Sequence, residues 1–254
     1  METELSFATQ LARRAGAVLT ELSGRVAVEY KDGVEPVTEA DRRSDTVIRE
    51  AIAATYPHHQ ILSEEGDGTI DLAGPLWIVD PLDGTANYAR GHPYVAVSIA
   101  YAVDGVVQVG VVHAPFLNET FTAARGRGAH LNGAPIWPGS PPDLCHAVVS
   151  TGFPHRKGEL GSLVERVRRL LAHCQDLRRA ASPALDICYV AAGRLDAHTE
   201  TLHPWDVAAA GLIAVESGAR RSHLDPADLP EDLAGDGFLI AAPTIHDALA
   251  KLLA

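Results

Sequence analysis

Two aspartates that stand three residues apart, Asp80 and Asp83, follow the apolar run Leu76–Val79, whose composition is that of a buried strand. Carboxylate oxygens bind hard cations such as Mg²⁺. The Gly84-Thr85 pair comes next and suits the opening of a helix or tight turn, where free N–H groups bind phosphate. Asp, Pro and Gly are also ordinary turn residues, but a defined string as long as Asp80–Asn87 rarely arises by chance. The string therefore predicts a metal-dependent phosphoryl-transfer site.

Hydrolysis of a phosphate monoester is very slow without a catalyst. Two metal ions can activate the attacking water and stabilise the leaving oxygen, and such a site needs carboxylates from separate parts of the chain. Glu64 and Asp206 meet this requirement together with Asp80 and Asp83, and each follows or opens a regular element. Oxygen ligands without Cys or His favour magnesium over zinc.

Composition limits the class of protein. The chain has 254 residues and is 46% hydrophobic, which predicts one large domain or two intimate halves. No apolar run approaches the ~20 residues of a membrane span, and the acidic start lacks a signal-peptide pattern. Three widely spaced cysteines, Cys145, Cys174 and Cys188, predict buried thiols in a reducing compartment. We therefore expect a cytoplasmic protein without membrane contact.

The net charge of −12 disfavours nucleic-acid binding, which relies on a basic surface. A carboxylate-lined pocket also repels phosphate unless cations lie between the two. The acidity of the chain therefore favours a metal-bridged mechanism over metal-free phosphate binding.

The periodicity of apolar residues predicts regular elements along the whole chain. Helical spacing indicates a first helix over 3–22 and a second that begins at Thr38 and ends near Tyr56. Asp104-Gly105 predicts a hairpin turn within a β meander. After the Pro-rich segment 138–142, strands and helices alternate. We expect an N-terminal α+β half, residues 1–140, with most metal ligands and a C-terminal α/β half, 141–254, with Asp206 and the specificity residues, acting as one catalytic unit.

Three motifs resemble those of the inositol monophosphatase family, the lithium-sensitive, magnesium-dependent sugar phosphatases. Residues 80–88 fit every position of D-P-[IL]-D-G-T-x-N-[FY]. Residues 205–219 fit W-D-x-A-A-G-x-x-I-x-x-E-A-G-G with small departures, and 63–66 are similar to the family's Glu-Glu motif. The resemblance covers nearly the whole chain. It implies an α/β fold, an αβαβα sandwich with mixed sheets between helix layers, and a homodimer.

The resemblance also implies two or three Mg²⁺ ions and a set of ligands for them. Glu64, Asp80 and the backbone carbonyl of Leu82 correspond to ligands of the activating metal. Asp80, Asp83 and Asp206 correspond to ligands of the second metal. In similar proteins lithium competes at this second position.

The catalytic roles follow from the same resemblance. Asp41 and Thr85 position the attacking water, and Glu64 accepts its proton. The backbone N–H groups of Gly84 and Thr85 hold the phosphate. Two further residues have open roles: Lys31 is either a lysine near the metals or a solvated loop residue, and Glu65 either binds a weak extra metal or is exposed.

Specificity for the alcohol part of the substrate is expected to depend on the loops around 151–156, 181–186 and 198–203. By resemblance, Glu200 binds a substrate hydroxyl beside Asp206. Ala181, Ser182 and Pro183 line the sugar where the family usually has Gly-Ser/Thr-Ala. Ser182 followed by Pro183 also predicts a helix N-cap.

We expect a phosphomonoesterase acting on a small polyol phosphate, with inositol 1-monophosphate as the default. Histidinol-phosphate phosphatase is the next alternative, before fructose-1,6-bisphosphatase and adenosine 3′,5′-bisphosphate phosphatase. A bisphosphate requires an added basic contact, which the sequence does not place. A different class also stays open: a regulatory binding protein on this fold, since some bacterial relatives bind the transcription machinery.

Overall fold

The structure, a computed structural model, describes residues 1–25, 28–31, 35–66, 71–154, 158 and 160–254, with only the backbone at 31 and 35. Its helices are α1 (Glu2–Leu22), α2 (Glu39–Thr55), α3 (Thr85–Tyr88), α4 (Gly161–His173), α5 (Pro183–Ala191), α6 (Pro204–Ser217) and α7 (His246–Leu253). Every helix in these ranges is too short or too polar to cross a bilayer.

The strands form two sheets and one separate hairpin. The hairpin pairs β1 (Val28–Lys31) with β2 (Glu35–Thr38). A seven-stranded sheet contains, in order, β3 (Gln60–Ser63), β4 (Pro75–Asp83), β5 (Ala96–Val103), β6 (Val106–Ala114), β7 (Glu119–Ala124), β8 (Ala129–Leu131) and β9 (Ala134–Pro135). A five-stranded sheet has the order β11 (Asp176–Arg178), β10 (Val148–Thr151), β12 (Ala197–Glu200), β14 (Phe238–Ala241) and β13 (Arg220–His223).

The buried apolar residues show that the helices and sheets are stacked in five layers. Helices α1 and α2 each bury one stripe, including Leu11, Leu19 and Ile48, against one face of the seven-stranded sheet. Helices α5 and α6 lie between the two sheets and are apolar on nearly all sides, as expected for helices that are covered on both faces. Helices α4 and α7 cover the far side of the five-stranded sheet. The predicted αβαβα sandwich is confirmed.

The predicted hairpin turn lies between β5 and β6. Asp104 and Gly105 both have positive φ, at 50° and 76°, which a two-residue hairpin turn of this type requires. Strands β4 to β8 then continue as an antiparallel meander. This meander is the rigid support for the site at the end of β4.

Several element boundaries differ from the sequence prediction. The strand expected to end at Val79 continues through Asp83, across a bulge between Asp80 and Asp83. The sequence also favours strands over 26–30, part of which lies outside the described residues, and over 194–199, where the structure has β12, Ala197–Glu200. Apolar periodicity does not predict strands β2, β9, β11 and β13, because each is short and carries few apolar residues.

Candidate metal and phosphate site

The bulge in β4 brings two carboxylates to one edge of the sheet. Asp80 and Asp83 lie on either side of the register shift against β5. The Leu82 N–H donates to Asp80 Oδ1 at 2.9 Å, which fixes the bend. A bulge re-aims side chains that would otherwise alternate between the two faces of the sheet. Both carboxylates are consequently buried, with exposed fractions of 2% and 4%.

Asp83 also contacts the start of α5, which belongs to the other half of the chain. Its Oδ2 accepts hydrogen bonds from the Ser182 hydroxyl at 2.5 Å and from the Ala184 N–H at 3.0 Å. Ser182 holds the N-cap position of α5 as predicted, but its side chain makes no cap bond and is fully buried against Asp83. It is therefore not part of the cavity lining where the sugar was expected. The Asp83 carboxylate satisfies the free N–H at the start of α5 instead, because it is the stronger acceptor.

Asp206 comes from the first turn of α6. Pro204 and Trp205 precede it, and the His203 N–H donates to Asp206 Oδ2 at 2.8 Å. Proline suits this first helical position because no N–H is needed there. This hydrogen bond to the backbone fixes the Asp206 side chain at the N-terminus of α6.

The three aspartates Asp80, Asp83 and Asp206 each offer one oxygen, and these atoms all lie within 4.8 Å of one another. Burial raises the pKa of Asp80 well above its usual value, and Glu64, Asp83 and Asp206 raise it further. Burial raises the pKa of Asp83 to about 6, although Ser182 and the α5 backbone oppose that rise. Buried carboxylates this close repel one another unless a cation compensates. The donor set therefore fits a hard divalent cation.

Two further predicted ligand groups adjoin the cluster. Glu64 follows β3, its N–H donates to the Val79 carbonyl at 3.2 Å, and its carboxyl shares a hydrogen bond with Asp80. The Leu82 carbonyl oxygen lies 3.1 Å from the Thr85 hydroxyl oxygen. Both Glu64 and Leu82 line the same cavity as the three aspartates.

Asp41 and Thr85 are joined directly. The Thr85 hydroxyl donates to Asp41 Oδ1 at 2.8 Å, while the N–H and hydroxyl of Thr38 donate to Asp41 Oδ2 at 2.8 and 2.6 Å. The predicted cap of α2 is confirmed, with Asp41 as the acid of a capping box. Burial raises the pKa of Asp41, and the bonds from Thr38 and Thr85 oppose that rise.

The backbone that follows β4 packs closely against the backbone that precedes α5. Gly84 has φ of 91°, and a Cβ there would lie 3.1 Å from the Tyr94 carbonyl and 3.2 Å from the Ala181 carbonyl. Ala181 itself has φ of 65°, a conformation that costs a residue with a Cβ about 1–2 kcal/mol. The Asn87 carboxamide connects the segment before β5 with the segment before α5, because it donates to the carbonyls of Tyr94, Ala180 and Ala181.

The cluster forms one wall of a cavity of about 370 Å³. The three loops expected to hold the alcohol all contribute to its lining, which includes Phe153, Ala181, Pro183 and Glu200. Burial raises the pKa of Glu200 to about 7, and nearby Arg179 and Arg166 oppose the rise. A Cβ on Gly152 would lie only 2.0 Å from the Glu200 carboxylate, so this glycine leaves the space that the carboxylate occupies.

The structure places some predicted residues elsewhere. Glu65 is half-buried and does not line the cavity. Lys31 ends β1, and its side chain lies outside the described residues. Only one of the three cysteines, Cys188, is buried, whereas Cys145 is exposed. Arg179 lines the cavity but was missed, because a basic pair beside a short strand resembles solvated surface.

Comparisons with known proteins agree with this architecture. Nus factor SuhB from Vibrio cholerae is 41% identical over 226 residues, which cover 86% of this chain and 84% of that protein. The structure of inositol monophosphatase from Anabaena (Nostoc) is similar, with a TM-score of 0.84 and 36% identity over 99% of this chain and 95% of that one. An IMPase/NADP phosphatase structure complexed with Mg²⁺ and phosphate has a TM-score of 0.87 and 25% identity, covering 99% and 95%.

The family assignment rests on the whole chain and on its site together. The sequence model of the inositol monophosphatase family matches residues 1–254. The family's signature carboxylates at 80, 83 and 206 converge in the folded structure although more than a hundred residues separate the last from the first. The chain therefore belongs to the inositol monophosphatase family.

Proposed function

We propose that this protein is a magnesium-dependent phosphomonoesterase that hydrolyses a small polyol phosphate, with inositol 1-monophosphate as the default substrate. The observation that carries the proposal is the buried convergence of Asp80, Asp83 and Asp206 within 4.8 Å. A hard cation bound by these oxygens offsets their repulsion and attracts an anionic substrate into an acidic cavity.

In this proposal the site binds two or three magnesium ions, and Glu64 and the Leu82 carbonyl complete the oxygen donors around the three aspartates. Magnesium bound here supplies a Lewis acid that activates water and stabilises the departing oxygen. The similar IMPase/NADP phosphatase complexed with Mg²⁺ and phosphate supports this choice of metal. We further propose that lithium inhibits by competing at the second metal position.

The Asp41–Thr85 pair has the geometry to orient the attacking water. The Thr85 proton is directed to Asp41 Oδ1, so a lone pair of the Thr85 oxygen is free to accept a hydrogen bond from water in the cavity. Asp41 is held in place by Thr38. Glu64 accepts a proton from the attacking water, and the water oxygen forms the new bond to phosphorus. The ester P–O bond breaks, and the departing alcohol oxygen takes a proton from solvent.

The substrate lies between the carboxylate cluster and the loops of the second half. Backbone N–H groups of Gly84 and Thr85, which line the cavity, hold the phosphate in this proposal. Glu200 binds a hydroxyl of the alcohol, and Ala181 and Pro183 form part of the cavity wall around that alcohol. On this account residues 1–140 and 141–254 make one catalytic unit.

A second candidate function is regulatory binding without catalysis, on the same fold. The name Nus factor, carried by a relative that is 41% identical, favours it. The presence of every carboxylate expected of the metal site favours the enzyme. The two functions differ in one measurable way, because only the enzyme requires Asp80, Asp83 and Asp206 for its activity.

A phosphate-release screen tests the proposal. Purified protein with Mg²⁺ is assayed on inositol 1-phosphate, histidinol phosphate, fructose 1,6-bisphosphate and adenosine 3′,5′-bisphosphate, each with and without EDTA. We expect EDTA-sensitive release from at least one compound. Absence of release from all four, by protein whose fold is verified by circular dichroism, contradicts the hydrolase and favours the regulatory candidate.

A further inference from the structure

Arg179 lies on the wall of the cavity where the alcohol part of a substrate would be held. Its guanidinium carbon is 5.7 Å from the centre of the Phe153 ring, a distance typical of a cation–π contact. The side chain is exposed, and with the described residues it forms no hydrogen bond or ion pair. The described part of the chain therefore leaves its guanidinium donors unused.

The charges around Arg179 indicate what kind of ligand would use it. The aspartate cluster at the phosphate end is matched by its cations when metal is bound. On the alcohol side, burial raises the pKa of Glu200 to about 7 and that of Asp186 to about 8. Asp186 accepts a hydrogen bond from the Tyr94 hydroxyl at 2.7 Å, Glu200 lies 3.6 Å from the His198 ring, and neither carboxyl pairs with Arg179 among the described residues. A guanidinium beside them keeps an uncompensated positive charge, which a neutral polyol does not satisfy.

We propose that Arg179 binds a second anionic group, a carboxylate or a phosphate, on the alcohol part of the substrate, so that doubly anionic phosphomonoesters are preferred. Arginine presents a planar fork of donors that matches either anion. The cavity of about 370 Å³ falls within the range of small-molecule sites and is larger than one phosphate requires. The inference rests on the proposed phosphatase function and deepens it, because it names doubly anionic phosphomonoesters as the preferred substrate class in place of inositol 1-monophosphate, the default taken above.

Two substrate pairs that differ by one anion test this inference. Glycerol 2-phosphate and 2-phosphoglycerate differ by a carboxylate, and fructose 1-phosphate and fructose 1,6-bisphosphate differ by a phosphate. kcat/KM is measured for each at fixed free Mg²⁺ in wild type and in Arg179→Gln. We expect the variant to lose roughly tenfold on the doubly anionic member, as for one charge-assisted hydrogen-bonded contact, and less than about twofold on its partner.

Arg178→Gln is the matched control. Arg178 is the neighbouring residue, is exposed and pairs with Asp176 at 2.5 Å, and it does not line the cavity. The same loss of charge there should leave both substrate ratios unchanged. If Arg179→Gln changes the ratio of only one substrate pair, that pair identifies the second anion as a carboxylate or as a phosphate.

Substrate ratios equal to those of wild type overturn the inference, whether Arg179→Gln loses equally on all four substrates or loses on none of them. Calorimetric binding of the fructose pair separates this failure from failure of the hydrolase. If wild type releases no phosphate from any substrate, the proposed function fails. An affinity for fructose 1,6-bisphosphate that depends on Arg179 would still support the second-anion site, and an affinity independent of Arg179 would overturn it.

Discussion

Asp83 shows how one side chain can serve both structure and chemistry. Its Oδ2 accepts from the Ser182 hydroxyl and the Ala184 N–H, and its neighbours in the cluster are Asp80 and Asp206. Ala181 precedes this contact in a left-handed conformation, with φ of 65°. The close approach of β4 and the start of α5 therefore stores backbone strain beside the carboxylate cluster.

Replacing Ala181 by Gly should relieve that strain. Glycine adopts positive φ without a Cβ clash, although it also gains freedom in the unfolded chain, so we expect a net stabilisation of about 0.5 kcal/mol. The measurement is the free energy of unfolding from urea titration.

Ala180→Gly provides the comparison, because Ala180 is not among the residues with positive φ. It should lose about 0.5–1 kcal/mol from unfolded-state entropy alone. A destabilisation of Ala181→Gly equal to that of Ala180→Gly would contradict the assignment of strain to Ala181.

At the scale of elements, the site is the junction of β4, α3 and α5. Strand β4 ends at Asp83, and Gly84 turns the chain with φ of 91° into the single turn of α3. The carbonyls of Tyr94 and Ala181 close around this glycine. The turn thus fixes the distance between the end of β4 and the start of α5.

Gly84→Ala should force that junction apart. The new methyl group would lie 3.1 Å from one carbonyl and 3.2 Å from the other, so we expect a loss of stability beyond the cost of positive φ by about 1–3 kcal/mol. Urea unfolding measures the loss.

Gly91→Ala isolates the contribution of the contacts. Gly91 also has positive φ, at 70°, but a Cβ there meets nothing within 4 Å. Equal losses in the two variants would mean that the backbone conformation, and not the close approach, determines the cost at Gly84.

At the scale of the whole molecule, α5 and α6 join the two sheets and bury titratable groups between them. Asp186 on α5 is 2% exposed and accepts a hydrogen bond from the Tyr94 hydroxyl at 2.7 Å. Burial raises its pKa to about 8, while the bond from Tyr94 opposes the rise. A carboxyl whose pKa is raised in the folded state favours folding while it is protonated, and that contribution disappears as the pH rises through the folded-state pKa.

Asp186→Asn should therefore become more stable relative to wild type as pH increases. Asparagine mimics the neutral acid and can still accept from Tyr94. We expect the difference in unfolding free energy to shift in favour of the variant by at least about 1 kcal/mol between about pH 5.5 and pH 9.

Asp176→Asn serves as the control, since Asp176 is exposed and its pKa is lowered by Arg178. This substitution should not gain stability relative to wild type with rising pH. A difference for Asp186→Asn that is constant with pH, or of opposite sign, would contradict a protonated Asp186 at neutral pH.

Local sequence patterns predicted the long helices, the meander and the carboxylates, because amphipathic periodicity and the 80–88 string are encoded in consecutive residues. They did not predict the contact of Asp83 with α5, because its partners lie about a hundred residues away. Arg179 was missed for a similar reason. Its place in the cavity depends on how β11 leads into α5, which no local pattern encodes.

In the proposed function, both halves of the chain build one magnesium-dependent catalytic site. Asp206 is the cluster carboxylate from the second half, and Asp206→Asn retains an oxygen that can accept from the His203 N–H. The substitution should therefore preserve the fold while it removes one charge from the cation site. Asp143→Asn, at an exposed position outside the cavity, is the control.

The most direct measurement is phosphate release from inositol 1-phosphate, or from the best substrate of the screen, as free Mg²⁺ is raised. Wild type and Asp143→Asn should show saturable, magnesium-dependent release. Asp206→Asn should lose at least about a hundredfold in kcat/KM with an unchanged circular dichroism spectrum. Near-normal release by Asp206→Asn, or wild-type release that is insensitive to removal of Mg²⁺, would contradict the account.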